Sequence, residues 1–159
     1  MNNLKKLSAV LFLAVSSIAF FGCKKDKAHQ PVQLTPSEML ASTPWETTSS
    51  KNNTGENVAL NDANVSNFVG YAYFKADGTF TMYNLDNSPK MHGDWTVPAD
   101  GKTRTIVAKD NNGTVLFTRV VEITVLTKQE FTYRIYPDNN DKAVYYDIIH
   151  TPTTHAEPK

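Results

Sequence analysis

The sequence predicts an all-β domain: an antiparallel meander of about eight strands closing into a small barrel, with a short N-terminal helix in front of it. Three observations carry this. From Trp45 onward apolar and polar residues alternate with period two. Clusters of Gly, Pro, Asn and Asp break the alternation at regular spacing. Consecutive hairpins favour nearest-neighbour antiparallel pairing, and eight such strands lose their exposed edges by joining the first to the last. A β-sandwich of the same strands is the alternative.

The elements in order begin with an address segment. Lys5 and Lys6 precede an apolar run from Leu7 to Phe21, the layout of a signal peptide over residues 1–22. At about 15 residues the run falls short of the roughly 20 that a bilayer-spanning helix needs. It ends Phe20-Phe21-Gly22-Cys23, with a small residue directly before the chain's one cysteine. This resembles the bacterial lipobox, which implies lipidation of the Cys23 sulfur and cleavage just before it. An exported lone thiol also has no disulfide partner within the chain. Lys24-Lys25-Asp26-Lys27 and the residues up to 33 are polar and aperiodic, and are expected to form a flexible tether.

Cleavage before Cys23 removes two lysines and leaves 14 basic against 16 acidic side chains, a net charge of −2. No nucleic-acid partner is implied. About 135 residues remain, enough for one domain with one core, expected over residues 34–151. His29, His92, His150 and His155 are scattered, so no metal site and no cofactor are expected.

Thr35-Pro36-Ser37-Glu38 is a helix start, with Thr35 as N-cap, Pro36 at the first helical position and Glu38 completing a capping box; the helix ends before Pro44. Trp45 opens the first strand. Residues 52–67, rich in Asn, Gly and Ser around Val58, Leu60 and Val65, form a lid or a mobile loop. Phe68 to Lys75 and Thr79 to Leu85 flank Ala76-Asp77-Gly78, the clearest hairpin signal. Met91 to Val97, Lys102 to Lys109, Thr114 to Leu126, Glu130 to Tyr136 and Lys142 to His150 complete the series. The long strand at Thr114 places Val115, Phe117, Val121, Ile123 and Val125 on one face. Residues 152–159, with two prolines and no apolar face, are expected to be a disordered tail.

Candidate binding residues follow from the same alternation. Arg119 shares the apolar face of Phe117 and Val121, where a charge is costly unless it is paired or faces a water-filled cavity. It reads as an anion-binding group inside the barrel, or as a barrel-end side chain that snorkels to solvent. Tyr71 and Tyr73 share a face opposite Ala72 and Phe74, Tyr133 lies with Phe131 and Ile135, and Tyr146 lies with Ile148 and His150. Each of these tyrosines is a candidate pocket lining or simply core. Asp94, Asp147 and His150 are the groups a hydrolytic reading would need, but nothing in the sequence brings them together. No phosphate loop, nucleophile elbow, zinc motif or calcium loop is present, and no catalytic residue is assigned.

The segments Leu40-Ala41-Ser42-Thr43-Pro44-Trp45, Tyr73-Phe74-Lys75-Ala76-Asp77-Gly78-Thr79-Phe80 and Gly93-Asp94-Trp95, closing on Tyr146-Asp147-Ile148-Ile149-His150-Thr151-Pro152, resemble the lipocalin-like domains of bacterial lipoproteins. Within that group the chain resembles an uncharacterised family with a domain of unknown function. The resemblance implies a β-barrel that binds something. The expected partners are a membrane, through lipid on Cys23, and a small apolar or amphipathic ligand near Arg119, Tyr71, Tyr73, Tyr133 and Tyr146. The expected location is the cell envelope, anchored at the outer membrane and facing either the periplasm or the surface. The alternative is an envelope interaction protein that acts through its loops around a filled barrel.

Overall fold

The computed structural model describes residues 33–159. The expected signal peptide, Cys23 and all but the last residue of the tether lie outside the described residues. Helix α1 (Pro36–Ala41) starts through the predicted capping box: Thr35 Oγ1 accepts the Glu38 amide at 3.3 Å while the Glu38 carboxylate accepts the Thr35 amide at 2.8 Å. Leu40 is its buried residue. The Leu40 carbonyl accepts the Trp45 indole N–H at 2.8 Å, which fixes the helix against the first strand.

The strands are β1 (Trp45–Asn52), β2 (Asn57–Val58), β3 (Tyr71–Phe74), β4 (Thr79–Tyr83), β5 (Pro89–Thr96), β6 (Thr103–Lys109), β7 (Val115–Leu126), β8 (Phe131–Ile135) and β9 (Tyr146–Pro152). β1 and β3 to β9 form an antiparallel barrel in chain order, closed by β9 returning to β1, with Trp45 opposite Pro152 and Asn52 opposite Tyr146. The predicted eight-stranded barrel is therefore present, and the sandwich is not. β2 is a ninth, two-residue strand within the 52–67 segment, paired with the end of β1. At the first hairpin Gly78, at φ 87°, donates to the Lys75 carbonyl at 3.0 Å, the turn that Asp77-Gly78 predicts.

Inside the barrel, alternate residues of each strand pack into one core around Trp45, Phe74, Phe80, Trp95, Phe131 and Ile148. The rings meet edge to face, Phe74 on Trp95 at 5.2 Å and Trp45 on Phe131 at 5.8 Å between centroids. Such pairs each add about 0.5–1.5 kcal/mol beyond the area they bury.

Two expectations need correction. The inward face of β7 does not run its whole length. Val115 and Phe117 are exposed, at 53% and 36%, because β8 pairs with β7 only from Glu122 to Leu126, leaving the first half of β7 held by β6 alone. A bulge between Ile123 and Val125 then shifts the phase, so Leu126 packs on the core in place of Val125.

The expected disordered tail is instead seated along the outer face of β3 and β4. The Thr153 amide donates to the Pro44 carbonyl at 3.0 Å. His155 stacks on Tyr71 with 3.9 Å between centroids and meets the Tyr73 hydroxyl at 2.7 Å. Glu157 pairs with Lys75 at 3.0 Å, and the Tyr83 hydroxyl donates to the Pro158 carbonyl at 3.1 Å. A segment without an apolar face is thus held by polar and stacking contacts, which hydrophobic periodicity does not register.

Candidate functional site

The interior is not apolar throughout. In the β6–β7 ladder Arg104 lies opposite Val121 and Ile106 opposite Arg119. Directly opposed residues share a face of the sheet, so both arginines lie on the inner face as diagonal neighbours. Arg104 is 2% exposed, and its guanidinium carbon sits 4.6 Å from the centre of the Tyr133 ring, 5.4 Å from Phe74 and 5.5 Å from Phe131. Arg119 is half-buried nearer the mouth, 5.0 Å from the centres of both Phe68 and Phe117. The ring faces supply a cation–π attraction of about 0.5–2 kcal/mol each at most. That does not replace the water that a buried guanidinium loses.

Arg104, Arg119 and Phe68 border a chamber inside the barrel. Its walls include Met82, Met91, Ile106, Tyr133, His150 and Thr47. It is narrow: the hollow measures about 370 Å³ with its open mouth counted, but only about 20 Å³ is wide enough to take the centre of a water molecule. A water needs roughly 10–15 Å³ on that measure, so the smaller figure describes the usable space. The sizeable pocket that a ligand-binding barrel requires is not open in this conformation.

Phe68 is the reason. It ends a 3-10 turn, Ser66–Phe68, and its ring packs edge-on against Tyr133 at 6.5 Å. The segment is pinned at its base by Thr47, whose hydroxyl lies 3.2 Å from the carbonyls of Phe68 and Gly70. Beyond Phe68 and Arg119 opens a second hollow with about 570 Å³ wide enough for the centre of a water molecule, lined also by Thr118, Val121, Glu122, Arg134 and Ile135. Phe68 and Arg119 therefore form the partition between an inner chamber and an outer vestibule.

The electrostatics of the chamber are one-sided. Lys90, Arg104 and Arg119 all line it, and no aspartate or glutamate does. Among the described residues the ion pairs join Lys75 to Glu157, Lys109 to Asp94 and Arg134 to Asp147, and none reaches the chamber. Lys90 donates to the Val69 carbonyl at 2.6 Å, and its ammonium is pushed down by burial and then by the Arg119 charge. Nε of Arg104 is buried without a hydrogen-bond partner. Burial is also the main pressure lowering Arg104, offset by Tyr133 and reinforced by Arg119; guanidinium nonetheless keeps its proton in proteins. Burial raises the Tyr133 hydroxyl while Arg104 pulls it back. His150, 3% exposed, lies against Tyr133 at 5.2 Å and donates from Nδ1 to the Phe131 carbonyl at 3.1 Å. Burial, then the Arg104 charge, depresses it to about 3.

The residues expected to form a site fall into three places. Arg119 and Tyr133 line the chamber. Tyr146 stands at the rim, its hydroxyl accepting from Asn64 at 3.2 Å. Tyr71 and Tyr73 turn their rings outward beneath the tail, because Ala72 and Phe74 take the inner positions, while Tyr71 also borders the chamber. Lys90, Phe68 and Arg104 were not anticipated. Arg104 carries the same signal as Arg119, being in phase with Ile106 and Ala108; Phe68 is in phase with Ala72 and Phe74, and Lys90 carries no such signal. Asp94, Asp147 and His150 are not assembled, since the two carboxylates pair with Lys109 and Arg134 while His150 is enclosed in the barrel. Among the described residues no three His, Cys, Asp or Glu side chains are placed to hold a metal ion.

The sequence pattern of the family described as Domain of unknown function (DUF4822) matches residues 37–159, from α1 to the end of the tail. The chain belongs to this family. No curated protein sequence matches the chain. Among solved structures, one described as "Biogenic amine-binding protein selenomethionine derivative" is similar at 13% identity and a TM-score of 0.40, over 71% of this chain and 64% of that one. The chain thus spans less than two thirds of that protein's length. In this family member the closed barrel, the Phe68 partition and the three inward cations are the features that bear on function.

Proposed function

We propose that this chain is a lipid-anchored, non-enzymatic binding module of the cell envelope, whose barrel takes a small apolar or amphipathic molecule when Phe68 moves aside. The observation that carries it is Arg104: a cation 2% exposed with an unpartnered Nε, facing a hollow. Replacing a buried charge by an apolar residue of similar volume is often neutral or stabilising, so a purely structural barrel gains nothing from it. Polar groups converging on an otherwise apolar hollow are what a ligand site needs. The second reading, an envelope interaction protein with a filled barrel, is favoured by the roughly 20 Å³ of usable space in the closed chamber.

Titration with the neutral apolar dye N-phenyl-1-naphthylamine separates the two. A binding module gives a saturable, one-to-one rise in emission and a higher Tm; a ligand at about 100 times its Kd adds roughly 2.7 kcal/mol of stability. A filled barrel gives neither. Anchoring is tested in cells fed radioactive palmitate: label is expected on the natural chain and absent from Cys23→Ala. Equal label in both would remove the anchor from this reading.

A further inference from the structure

The chamber's charge specifies more than a hollow does. Resting on the binding reading above, we infer that the ligand is an anion, the carboxylate of a slender apolar molecule, with its head against Arg104 and its chain leading out past Phe68 and Arg119.

Three independent features point the same way. Lys90, Arg104 and Arg119 face one chamber with no acidic side chain in its lining, and cations brought together in a low-dielectric space repel one another unless an anion joins them. Arg104 Nε is a buried donor without an acceptor, a state that costs stability until an acceptor reaches it. A carboxylate supplies two acceptor oxygens in the plane that guanidinium prefers. The walls agree as well. The inner space is water-sized while closed, so the two-oxygen head enters as Phe68 moves aside, and Met82, Met91 and Ile106 then offer apolar wall to the first carbons of a chain. The vestibule of about 570 Å³ beyond Phe68 has room for the remainder. A protonated amine of the same shape meets three cations and no counter-charge.

The test compares three molecules with one chain and different heads, decanoate, decanol and decylamine, each below its micelle concentration, by calorimetric titration of the soluble domain and of the full lipidated chain. Decanoate is expected to bind at least tenfold more tightly than decanol, and decylamine more weakly than either. Arg104→Met is expected to cost decanoate tenfold or more and decanol at least threefold less than it costs decanoate. Should Arg104→Met fail to fold, Arg119→Gln at the half-exposed mouth is expected to weaken decanoate selectively by a smaller factor. Parity between decanoate and decanol, a preference for decylamine, or undiminished decanoate affinity in both variants would overturn the anion inference and leave the binding module standing. Failure of all three to bind, decanol included, overturns both.

Discussion

Gly93→Ala is expected to destabilise the domain by about 4 kcal/mol or to prevent folding, a loss near the top of the range for single substitutions. Gly93 lies in β5 opposite Ala108 of β6, with φ at 152°. A Cβ built there would stand 2.0 Å from the Val107 carbonyl oxygen and 3.0 Å from its carbon. Both are backbone atoms of the neighbouring strand, so no side-chain rotation relieves the clash, and the β5–β6 ladder has to part. Gly113→Ala is the matched control. It also has a positive φ, 84°, but nothing within 4 Å of its would-be Cβ, so it bears only the conformational cost of about 1 kcal/mol. Urea unfolding of the two variants separates close approach from backbone strain. Similar small losses would mean that β5 and β6 do not approach as closely as the structure has them.

Gly93 also shows how much of the fold can be read from the chain. Local chemistry was legible wherever a few adjacent residues decide the outcome: the Thr35–Glu38 capping box, the Asp77-Gly78 turn, the alternation that closes eight strands. What escaped involves contacts between distant residues. Alternation assigns Tyr71 and Tyr73 to one face and Ala72 and Phe74 to the other, but it does not say which face is inside, and tyrosines are at home on either. The decision came from the tail, where His155 and Glu157 cover the tyrosine face, and from Ala72 and Phe74 filling the barrel. The β7 bulge moved Leu126 into the core because two residues there oppose one on β8, a count that depends on the partner strand.

The site divides along the same line. Arg119 was visible because a charge interrupts an apolar face, and Arg104 interrupts the face of Ile106 and Ala108 in the same way. Taken singly, each can be dismissed as a side chain reaching for solvent. Only the register that sets Arg104 opposite Val121 and Ile106 opposite Arg119 shows that two such interruptions coincide in space. Lys90 joins them from β5 and Phe68 from the loop before β3; no local pattern marks Lys90, and the phase that Phe68 shares with Ala72 and Phe74 fits a core side chain equally well.

Acid is expected to unfold this domain well before its carboxylates are fully protonated, through His150. The imidazole is enclosed by Tyr133 and Phe131, its Nδ1–H is committed to the Phe131 carbonyl, and the nearby cation is Arg104. Burial first, and Arg104 second, depress the folded-state pKa from 6.5 to about 3. Above the unfolded value the ring is neutral in both states and the fold has its full stability. As pH falls below 6.5 the unfolded chain takes up a proton that the folded chain refuses, so stability drops until the folded pKa near 3 is reached. At 1.36 kcal/mol per unit the whole window is worth roughly 5 kcal/mol, of which about 3 kcal/mol is gone by pH 4. Surface carboxylates such as Asp77 and Asp86, lowered by hydrogen bonds from Thr79 and Ser88, also weaken the fold in acid. They do so equally in His150→Asn, which keeps a donor for the Phe131 carbonyl and has no proton to gain. Urea unfolding between pH 7 and pH 4 is therefore expected to show a fall in the natural chain about 3 kcal/mol larger than in His150→Asn. Parallel falls would mean that the imidazole is protonated inside the barrel. A cation there, beside Arg104, is the state that the enclosure of both groups opposes.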